Sequence, residues 1–423
     1  MSKNNLITVF CFGQEVGRLG LDLDQGVSYF QYNDEFLRQN LYPRLFPLLI
    51  RRMKRTQVFK KYNNDTFRAL APPFADSLPD FFGNKIFRIW MEQTHQGLQE
   101  ISVLAQLAYV GTRGMGALEY QPANFLLPGD TININEIAEV MRNVIHQKGR
   151  LSARKLDHIS LLNIFKMGSS AGGVRPKILV AEHSQSGKII PGDIVVDQDY
   201  NHYIIKLDME DIKGYSREWV EYTYYLAATR AGIVMMPTKM IEEKHFATLR
   251  FDRQHGQKKH VLTATGITGW DYRDQQVSSY ENLFDLAIYL KCPHRDIEQL
   301  YRRMVFNLVF SNDDDHLKNH SFIYEEHTDC WELAPAYDIT YSLNPALNVK
   351  IRSRALSING KRTLIDLKDL SILADKYAVK NFKKIIMEIQ DLAKHEWQTM
   401  ARENHVPEKA SKAIYHNFRF FNL

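Results

Sequence analysis

An acidic loop behind an apolar segment constrains this chain more than any other stretch. Residues 306–322 read FNLVFSNDDDHLKNHSF and place three carboxylates, a histidine, a lysine and an asparagine in the run DDDHLKN. Phosphoryl transfer needs a carboxylate at the attacking hydroxyl and an oxygen ligand for Mg²⁺ close by, and a loop reading Asp-x-x-x-x-Asn supplies both. Asp314 and Asn319 have this spacing. We therefore expect a helical element to end in a catalytic loop here.

The choice among the three carboxylates rests on spacing alone. Asp313 and Asp315 flank Asp314, and only the five-residue step to Asn319 selects the middle one. Further along, WELAPAYDITYSL places Asp338 after a strand-like segment, where a second metal-binding carboxylate would belong. The two segments are therefore expected to share one metal site.

Two histidines of the same loop leave a second kind of metal open. His316 and His320 stand four residues apart, a spacing that can bind zinc on a helix. The neighbouring carboxylates favour a hard cation instead, because oxygen ligands suit Mg²⁺. We expect His316 to orient the loop.

A glycine-rich stretch and a lysine form the candidate phosphate-binding site. The stretch MGSSAGGVRPK contains Gly172 and Gly173, whose small size would let backbone N–H groups approach phosphate oxygens. In the strand-like segment HYIIKLD, Lys206 stands between apolar neighbours, as a phosphate-pairing lysine would. Glu221 follows on a predicted helix, where it either faces Lys206 or lies exposed at the helix start. The basic run RRMKR at residues 51–55 could also touch phosphates, although a solvated run explains it as well.

Composition sets the class of protein. A chain of 423 residues with 44% hydrophobic content can bury a large core and should divide into two or three domains. Three scattered cysteines fit a reducing compartment better than a disulfide framework. The sequence shows no signal peptide and no run of about 18 apolar residues, which predicts a cytoplasmic protein without a membrane contact. A net charge of +5 permits a nucleic-acid or acidic partner without requiring one.

Hydrophobic patterning predicts a sheet-rich first part and a helical last part. Strands are expected at residues 6–12, in GVSYFQYND, in HYIIKLD and in HFATL. Helices are expected at the ranges 86–109, 133–147, 283–290, 295–310 and 379–397. In the last of these, Phe382, Ile385, Ile386 and Ile389 form an apolar stripe that we expect to lie in the core.

Seven motifs occur in an order that resembles the HipA family of serine/threonine kinases, best known as toxins of bacterial toxin–antitoxin pairs. They are SLPDFFGNK, YVGTRGMGALEY, SSAGGVRPK, YIIKLD, RFDR, NDDDHLKN and LAPAYDI. The resemblance implies an α+β fold, with an N-terminal α/β subdomain before a bilobal kinase-like core whose C-terminal lobe is mainly helical. The corresponding boundaries are 1–150 for the N-terminal subdomain, 151–253 for the nucleotide-binding lobe and 254–423 for the helical catalytic lobe.

The resemblance also implies roles in catalysis and metal binding. Asp314 resembles the catalytic base, with His316 beside it, and Asn319 and Asp338 resemble the Mg²⁺ ligands. Lys206 resembles the phosphate-binding lysine. These roles agree with the expectations drawn from spacing.

Further residues resemble the family's ATP-binding segments. Leu249 and Phe251 would offer backbone contacts to adenine, in a segment that ends at Asp252. The phosphate-loop serine, which is autophosphorylated in such kinases, matches Ser169 or Ser170. The loop departs from the best-known members at Val174 and Arg175.

The function implied is phosphorylation of a serine or threonine of a cellular protein, such as an aminoacyl-tRNA synthetase, with ATP and Mg²⁺. A HipB-like antitoxin is the implied partner, with DNA contacted through it. The alternative is a catalytically inactive relative that acts only by assembly with such a partner, and a kinase for a small molecule or lipid head group would use the same machinery. The intact set Lys206, Asp314, Asn319 and Asp338 favours an active protein kinase.

Overall fold

The computed structural model divides the chain into two compact units. The first comprises Met1–Met209, Ala247–Leu262 and Gly266–Gly269, and the second comprises Glu210–Phe246, Thr263–Thr265 and Trp270–Leu423. The structure describes residues 6–78, 102–122, 134–135, 137–139, 142, 176–192, 198–209, 215–254, 256–342 and 353–423.

The described strands are concentrated in the first two-thirds of the chain. In chain order they are β1 Leu6–Cys11, β2 Gln14–Asp22, β3 Val27–Tyr32, β4 Gln57–Phe59, β5 Leu118–Gln121, β6 Lys177–His183, β7 Ile189–Pro191, β8 Tyr200–Lys206, β9 Thr238–Ile241, β10 His245–Leu249, β11 Arg253–Gln254, β12 Gln257–Lys258, β13 His260–Thr263, β14 Ser321–Glu325 and β15 Cys330–Leu333.

The longer described helices belong to the second unit. In chain order the helices are α1 Asp34–Arg38, α2 Pro72–Ala75, α3 Val103–Val110, α4 Arg217–Arg230, α5 Ala264–Thr268, α6 Tyr280–Tyr289, α7 His294–Val309, α8 Leu367–Lys376, α9 Phe382–His395, α10 Trp397–Glu403 and α11 Glu408–Tyr415. A 3₁₀ turn covers Leu317–Asn319. Among the described residues, no helix is both long enough and apolar enough to cross a membrane.

An antiparallel sheet of five strands opens the first unit. Its order is β4-β3-β2-β1-β5, and alternate residues of β1 and β3 enter the core, as expected when one sheet face is covered. Val9, Leu19 and Phe30 are fully buried. Gly17 lies against the carbonyl of Gln31, where any Cβ would clash, so the close approach of β2 and β3 requires glycine.

A second set of strands in the first unit carries the candidate phosphate lysine. Strand β6 pairs antiparallel with β7 and with β8, and Lys177 stands opposite Lys206 in the register. Beyond β10, the amide of Arg250 donates to the carbonyl of His202, with 2.8 Å between N and O. The end of β10 therefore lies beside β8.

Aromatic side chains fill the core of the second unit. Tyr224 of α4 packs edge-on against Phe306, Phe310 and Trp397, and its hydroxyl donates to the carbonyl of Phe310 at 2.7 Å. Phe418 closes the cluster at 4.7 Å from the ring of Phe310. Aromatic packing of this kind adds to the burial energy and gives each ring a fixed orientation.

Helices α7 and α9 are core elements, and the acidic loop follows α7 directly. The carboxyl-terminal half of α7 is buried on nearly all sides, from Met304 to Val309, so this helix is a core element rather than a surface one. Ile385, Ile386 and Ile389 of α9 are buried, which confirms these three members of the predicted core stripe, whereas Phe382 is only half-buried. Beyond α7 the chain continues as the run SNDDDH, in which Asp314 is exposed and the residues from Ser311 to Asp313 are still buried.

The predicted elements agree with the structure wherever it describes them. Strands at β1, β3, β8 and β10 and helices at α6, α7 and α9 are confirmed to within a few residues. The helix predicted at 86–109 is confirmed only as α3, since residues 79–101 lie outside the described part, as does most of the helix predicted at 133–147.

Candidate active site

The three aspartates of the acidic loop have different surroundings. Asp313 and Asp315 are 7% and 1% exposed, whereas Asp314 between them is exposed. Only a carboxylate that solvent can reach can also reach the hydroxyl of a substrate. Asp314, the residue that the spacing to Asn319 predicts, is therefore the most accessible of the three, and its role as the base stays a prediction.

Arg354 holds the two flanking carboxylates. Its guanidinium is fully buried and lies 2.8 Å from the Asp315 carboxylate and 3.4 Å from that of Asp313. Asp315 also accepts hydrogen bonds from the Tyr280 hydroxyl and from Asn307 Nδ2, the latter at 3.3 Å. Burial raises the pKa of Asp315 to about 6 in spite of Arg354. Asp313 and Asp315 thus serve as anchors that fix the loop on both sides of Asp314.

The loop folds back so that Asn319 stands beside Asp314. Asn319 Nδ2 donates to the backbone carbonyl of Asp314 at 3.1 Å, and the amide of His316 donates to the same oxygen at 2.9 Å. Because Nδ2 is used inward, Oδ1 is the Asn319 atom available to a cation. The 3₁₀ turn at Leu317–Asn319 completes this arrangement.

Asp338 is placed next to the loop by its neighbours in sequence. The amide of Ala336 donates to the carbonyl of Val234 at 2.8 Å, and the Tyr337 hydroxyl donates to the carbonyl of Lys318 at 2.8 Å. Asp338 itself has φ of +54°, a left-handed conformation that Asp and Asn tolerate better than most residues. This local backbone turn therefore determines the direction of the Asp338 side chain.

The electrostatics show that these groups interact. The pKa of Asp314 is raised, first because the surrounding protein removes part of its hydration and then because Asp338 is negative, while His316 opposes the rise. Burial lowers the pKa of His316, against the pull of Asp314 and Asp338. The structure thus brings together Asp314, His316 and Asp338, with Asn319 bonded to the same loop.

The oxygen atoms of this group fit a magnesium ion. The Asp338 carboxylate and Asn319 Oδ1 are hard ligands of the type that Mg²⁺ takes from proteins, with its remaining positions filled by water and phosphate. The two histidines do not form a matching zinc pair. The His316 ring lies 4.8 Å from that of Tyr272, whereas His320 is 3% exposed and packs on Tyr280.

The candidate nucleotide-binding residues lie in both units. Lys206, at the end of β8 in the first unit, is 8% exposed, and Glu221 on α4 in the second unit is 5% exposed. The alternative that Glu221 lies exposed at the helix start is therefore wrong. Its pairing with Lys206 stays a prediction.

The predicted phosphate loop lies outside the described residues. This applies to Ser169, Ser170, Gly172 and Gly173. Their contacts with ATP stay predictions from the glycine-rich sequence and the family resemblance.

The segment expected to hold adenine is built around a buried ion cluster. Asp252 is fully buried and accepts from Arg250 Nε at 2.9 Å, from Arg253 Nη1 at 2.8 Å and from the amide of Gly116 at 2.7 Å. Both arginines also donate to the carbonyl of Gly114. The cluster therefore ties the turn GTRGMG to the segment between β10 and β11.

The two backbone positions predicted to meet adenine adjoin residues of this cluster. Leu249 is partly exposed at the end of β10, and Phe251 is 8% exposed. The nucleotide contacts of Leu249, Phe251 and Asp252 stay predictions. The structure adds that Asp252 fixes the backbone of the segment.

Asparagine in place of Asp252 is expected to lower the free energy of unfolding of the first unit by about 3–5 kcal/mol, because it leaves two buried guanidinium groups without a counter-charge. Denaturant unfolding at neutral pH measures this loss. Asp24→Asn, at an exposed position of the same unit, is the matched control and should be neutral.

The same pair of variants gives a pH test. Burial alone would raise the pKa of Asp252, but Arg250 and Arg253 hold it well below its usual range. A lowered pKa adds stability above the unfolded value near 4, and this contribution is lost as the pH falls towards the folded value. The wild type should therefore lose stability on acidification, and Asp252→Asn should lose less. Equal slopes for both proteins would contradict the assigned ion cluster.

Several residues of the site carry no signal in the sequence. Arg354, Tyr280 and Asn307 contact Asp313 or Asp315 across separations of 8 to 41 positions in the sequence. No spacing rule covers such contacts. Only the buried position of Asn307 on the apolar face of α7 could have suggested that it pairs with a polar group.

Two family models match consecutive parts of this chain. Residues 7–121 match the family model of the HipA N-terminal domain, and residues 169–397 match that of the HipA-like C-terminal domain. No curated protein matches the sequence.

Solved structures resemble the chain at low sequence identity. The HipA of Shewanella oneidensis MR-1, in a complex with HipB and operator DNA, has a TM-score of 0.62 at 17% identity and covers 97% of this chain and 94% of its own. The Helicobacter pylori proinflammatory kinase CtkA reaches a TM-score of only 0.34 at 11% identity, over 52% of this chain and 88% of its own. The predicted α+β fold is confirmed by the first of these. Since the C-terminal family model alone matches more than half of the sequence, the chain belongs to the HipA family.

Proposed function

We propose that this protein is an ATP-dependent serine/threonine protein kinase and the toxin of a toxin–antitoxin pair. The observation that carries the proposal is the exposed Asp314, held between two buried, ion-paired aspartates and bonded to Asn319 five residues on. A loop that served only as a structural turn would not need one solvent-facing carboxylate beside oxygen ligands for a cation.

Each candidate site residue of the catalytic loop and of the Asp338 stretch has a defined role in this proposal. Asp314 accepts the proton of the substrate hydroxyl, and its raised pKa makes it a better base than an ordinary aspartate. Asn319 and Asp338 hold Mg²⁺. The ion, when bound, neutralises charge on the phosphate oxygens during transfer. His316 packs on Tyr272 and keeps the loop oriented.

The residues of the nucleotide-binding segments complete the proposal. Lys206 pairs with ATP phosphates, Glu221 orients that lysine, and the backbone at Leu249 and Phe251 meets adenine. Gly172 and Gly173 cover the phosphates, and autophosphorylation occurs at Ser169 or Ser170. The family and the kinase-loop spacing support these assignments.

The partners follow from the family. The Shewanella relative is seen with HipB and operator DNA. We therefore include a HipB-like antitoxin as partner, DNA contacted through that partner, and a cellular protein such as an aminoacyl-tRNA synthetase as substrate.

Labelled ATP tests the proposal directly. The purified protein, incubated with Mg²⁺, γ-labelled ATP and a cell extract, is expected to label itself and at least one other protein on serine or threonine. Asp391→Asn, at an exposed position of α9, should behave as the wild type. If neither self-labelling nor transfer occurs while a HipB-like partner still binds, the protein acts by assembly alone and the kinase proposal is wrong.

Methionine in place of Lys206 is expected to weaken ATP binding about tenfold or more, because a charged hydrogen bond to phosphate would be lost. Methionine keeps most of the aliphatic stem of this 8%-exposed side chain, so packing is preserved. Calorimetric titration with Mg²⁺-ATP measures the change, with Lys188→Met at an exposed position as control. Unchanged affinity in Lys206→Met would show that this lysine does not contact the nucleotide.

A further inference from the structure

The chain's C-terminal segment, residues 416–423, contacts the acidic loop. The amide of Arg419 donates to the carbonyl of Val309 at 3.0 Å, and Arg419 Nη2 lies 3.2 Å from the Asp313 carboxylate. The Ser311 hydroxyl donates to the carbonyl of Asn417. These three contacts fall on the end of α7 and on the start of the loop that carries Asp314.

The same segment reaches the chain beyond Asp338. Asn417 Nδ2 donates to the Tyr341 hydroxyl at 2.9 Å. Asn417 is thus bonded through its backbone to the loop of the proposed base and through its side chain to the proposed metal-binding stretch. One residue joins both halves of the site.

Aromatic packing fixes the segment in place. Phe418, between the two contacting residues, is 8% exposed and lies 4.7 Å from the ring of Phe310 and 5.2 Å from that of Trp397. Because this ring is anchored in the core, Asn417 and Arg419 on either side of it are held in register with the loop. The contacts of Asn417 and Arg419 with the loop are therefore supported by the packed ring of Phe418.

Asp313 is held by contacts from several parts of the second unit. Its carboxylate lies between Arg354 and Arg419, its amide donates to the Ser342 hydroxyl at 3.1 Å, and its carbonyl accepts from the amide of Ala355 at 2.8 Å. Fixing the residue before Asp314 on both its main-chain and side-chain groups fixes the direction in which Asp314 leaves the backbone.

We propose that Arg419 and Asn417 are positioning residues that align the Asp314 loop with the Asp338 stretch. The inference rests on the proposed kinase function and deepens it. Arg354 is fully buried and would hold the fold together, whereas the Arg419 side chain is 28% exposed and forms an ion pair with Asp313 of the loop. Its removal should therefore disturb alignment more than folding.

Alanine in place of Arg419 is expected to lower the turnover rate of phosphoryl transfer about tenfold to a hundredfold, with ATP affinity unchanged, because small misplacement of a catalytic group has effects of this size. Arg419→Lys should recover part of the rate, since it keeps the charge next to Asp313. Arg402→Ala, at an exposed position of α10, is the matched control. Kinetics with γ-labelled ATP and the denaturant midpoint are measured for each variant. A wild-type turnover in Arg419→Ala, or a loss that lysine does not relieve at all, would overturn the proposal.

Hydrogen exchange separates this inference from the kinase proposal. Without ATP, amides of peptides covering residues 311–320 should exchange faster in Arg419→Ala than in the wild type and in Arg402→Ala, because local opening becomes easier. If the wild type transfers no phosphate, the kinase proposal fails and exchange alone decides on the positioning role. Unchanged exchange in Arg419→Ala would overturn that role whatever the kinetics show.

Discussion

Asparagine in place of Asp314 is expected to slow phosphoryl transfer by about a hundredfold or more while leaving ATP affinity nearly unchanged, the scale of lost general-base catalysis. The substitution keeps the size of the side chain and removes its charge and basicity. Because Asp314 is exposed and its own carbonyl, not its carboxylate, accepts from Asn319, the loop should keep its shape. Binding and chemistry should therefore separate in one variant.

The measurement is the rate of transfer and the ATP affinity on the same purified protein. In cells, expression of the wild type without a partner should arrest growth, and Asp314→Asn should not. Transfer at the wild-type rate by Asp314→Asn would show that another group is the base.

The flanking aspartates supply the matched comparison. Asp313→Asn and Asp315→Asn remove partners of the buried Arg354, so their main effect should be a lower free energy of unfolding, which is the usual cost of leaving a buried charge alone. Rates must therefore be compared per folded molecule. If one of these two variants loses transfer while folded and Asp314→Asn keeps it, the spacing to Asn319 has selected the wrong carboxylate.

Local patterns predicted much of the fold because most of its elements are local in sequence. The apolar stripe Ile385, Ile386 and Ile389 repeats at helical spacing, and this repeat alone places α9 against the core. The alternation in β1 and β3 is a similar signal for a half-buried sheet. Neither signal depends on what the rest of the chain does.

Contacts between distant residues were beyond such patterns. Nothing near Arg354 in the sequence indicates that it lies between Asp313 and Asp315, and nothing near Gly114 and Gly116 indicates that the Asp252 cluster will hold their turn. The burial of Glu221 was open for the same reason, since its exposure depends on what packs on α4. Tertiary structure decides these cases.

The Asp314 assignment shows how the two kinds of information combine. Spacing to Asn319 predicts this residue, because a kinase catalytic loop has a fixed step from the proposed base to the proposed metal ligand. The structure adds that its two neighbours are buried, so that Asp314 is the one exposed carboxylate of the three.

Asparagine in place of Asp338 is expected to reduce transfer to below about one per cent of the wild-type rate, because a metal-bound carboxylate contributes several kcal/mol to charge stabilisation in the transition state. Asparagine is a better replacement than alanine here. Asp338 has φ of +54°, and asparagine adopts this conformation at little cost, whereas alanine would add backbone strain to the loss of the ligand.

The metal dependence of the rate tests the role of the carboxylate rather than of the fold. Asp338→Asn keeps an amide oxygen that can still approach a cation, so a higher Mg²⁺ concentration should recover part of the activity, while it should not rescue Asp314→Asn. Asp391→Asn on α9 controls for the loss of one negative charge from the second unit. A folded Asp338→Asn variant with full activity at ordinary Mg²⁺ concentration would show that the metal-binding carboxylate lies elsewhere, and the pairing of this stretch with the Asp314 loop would then need another explanation.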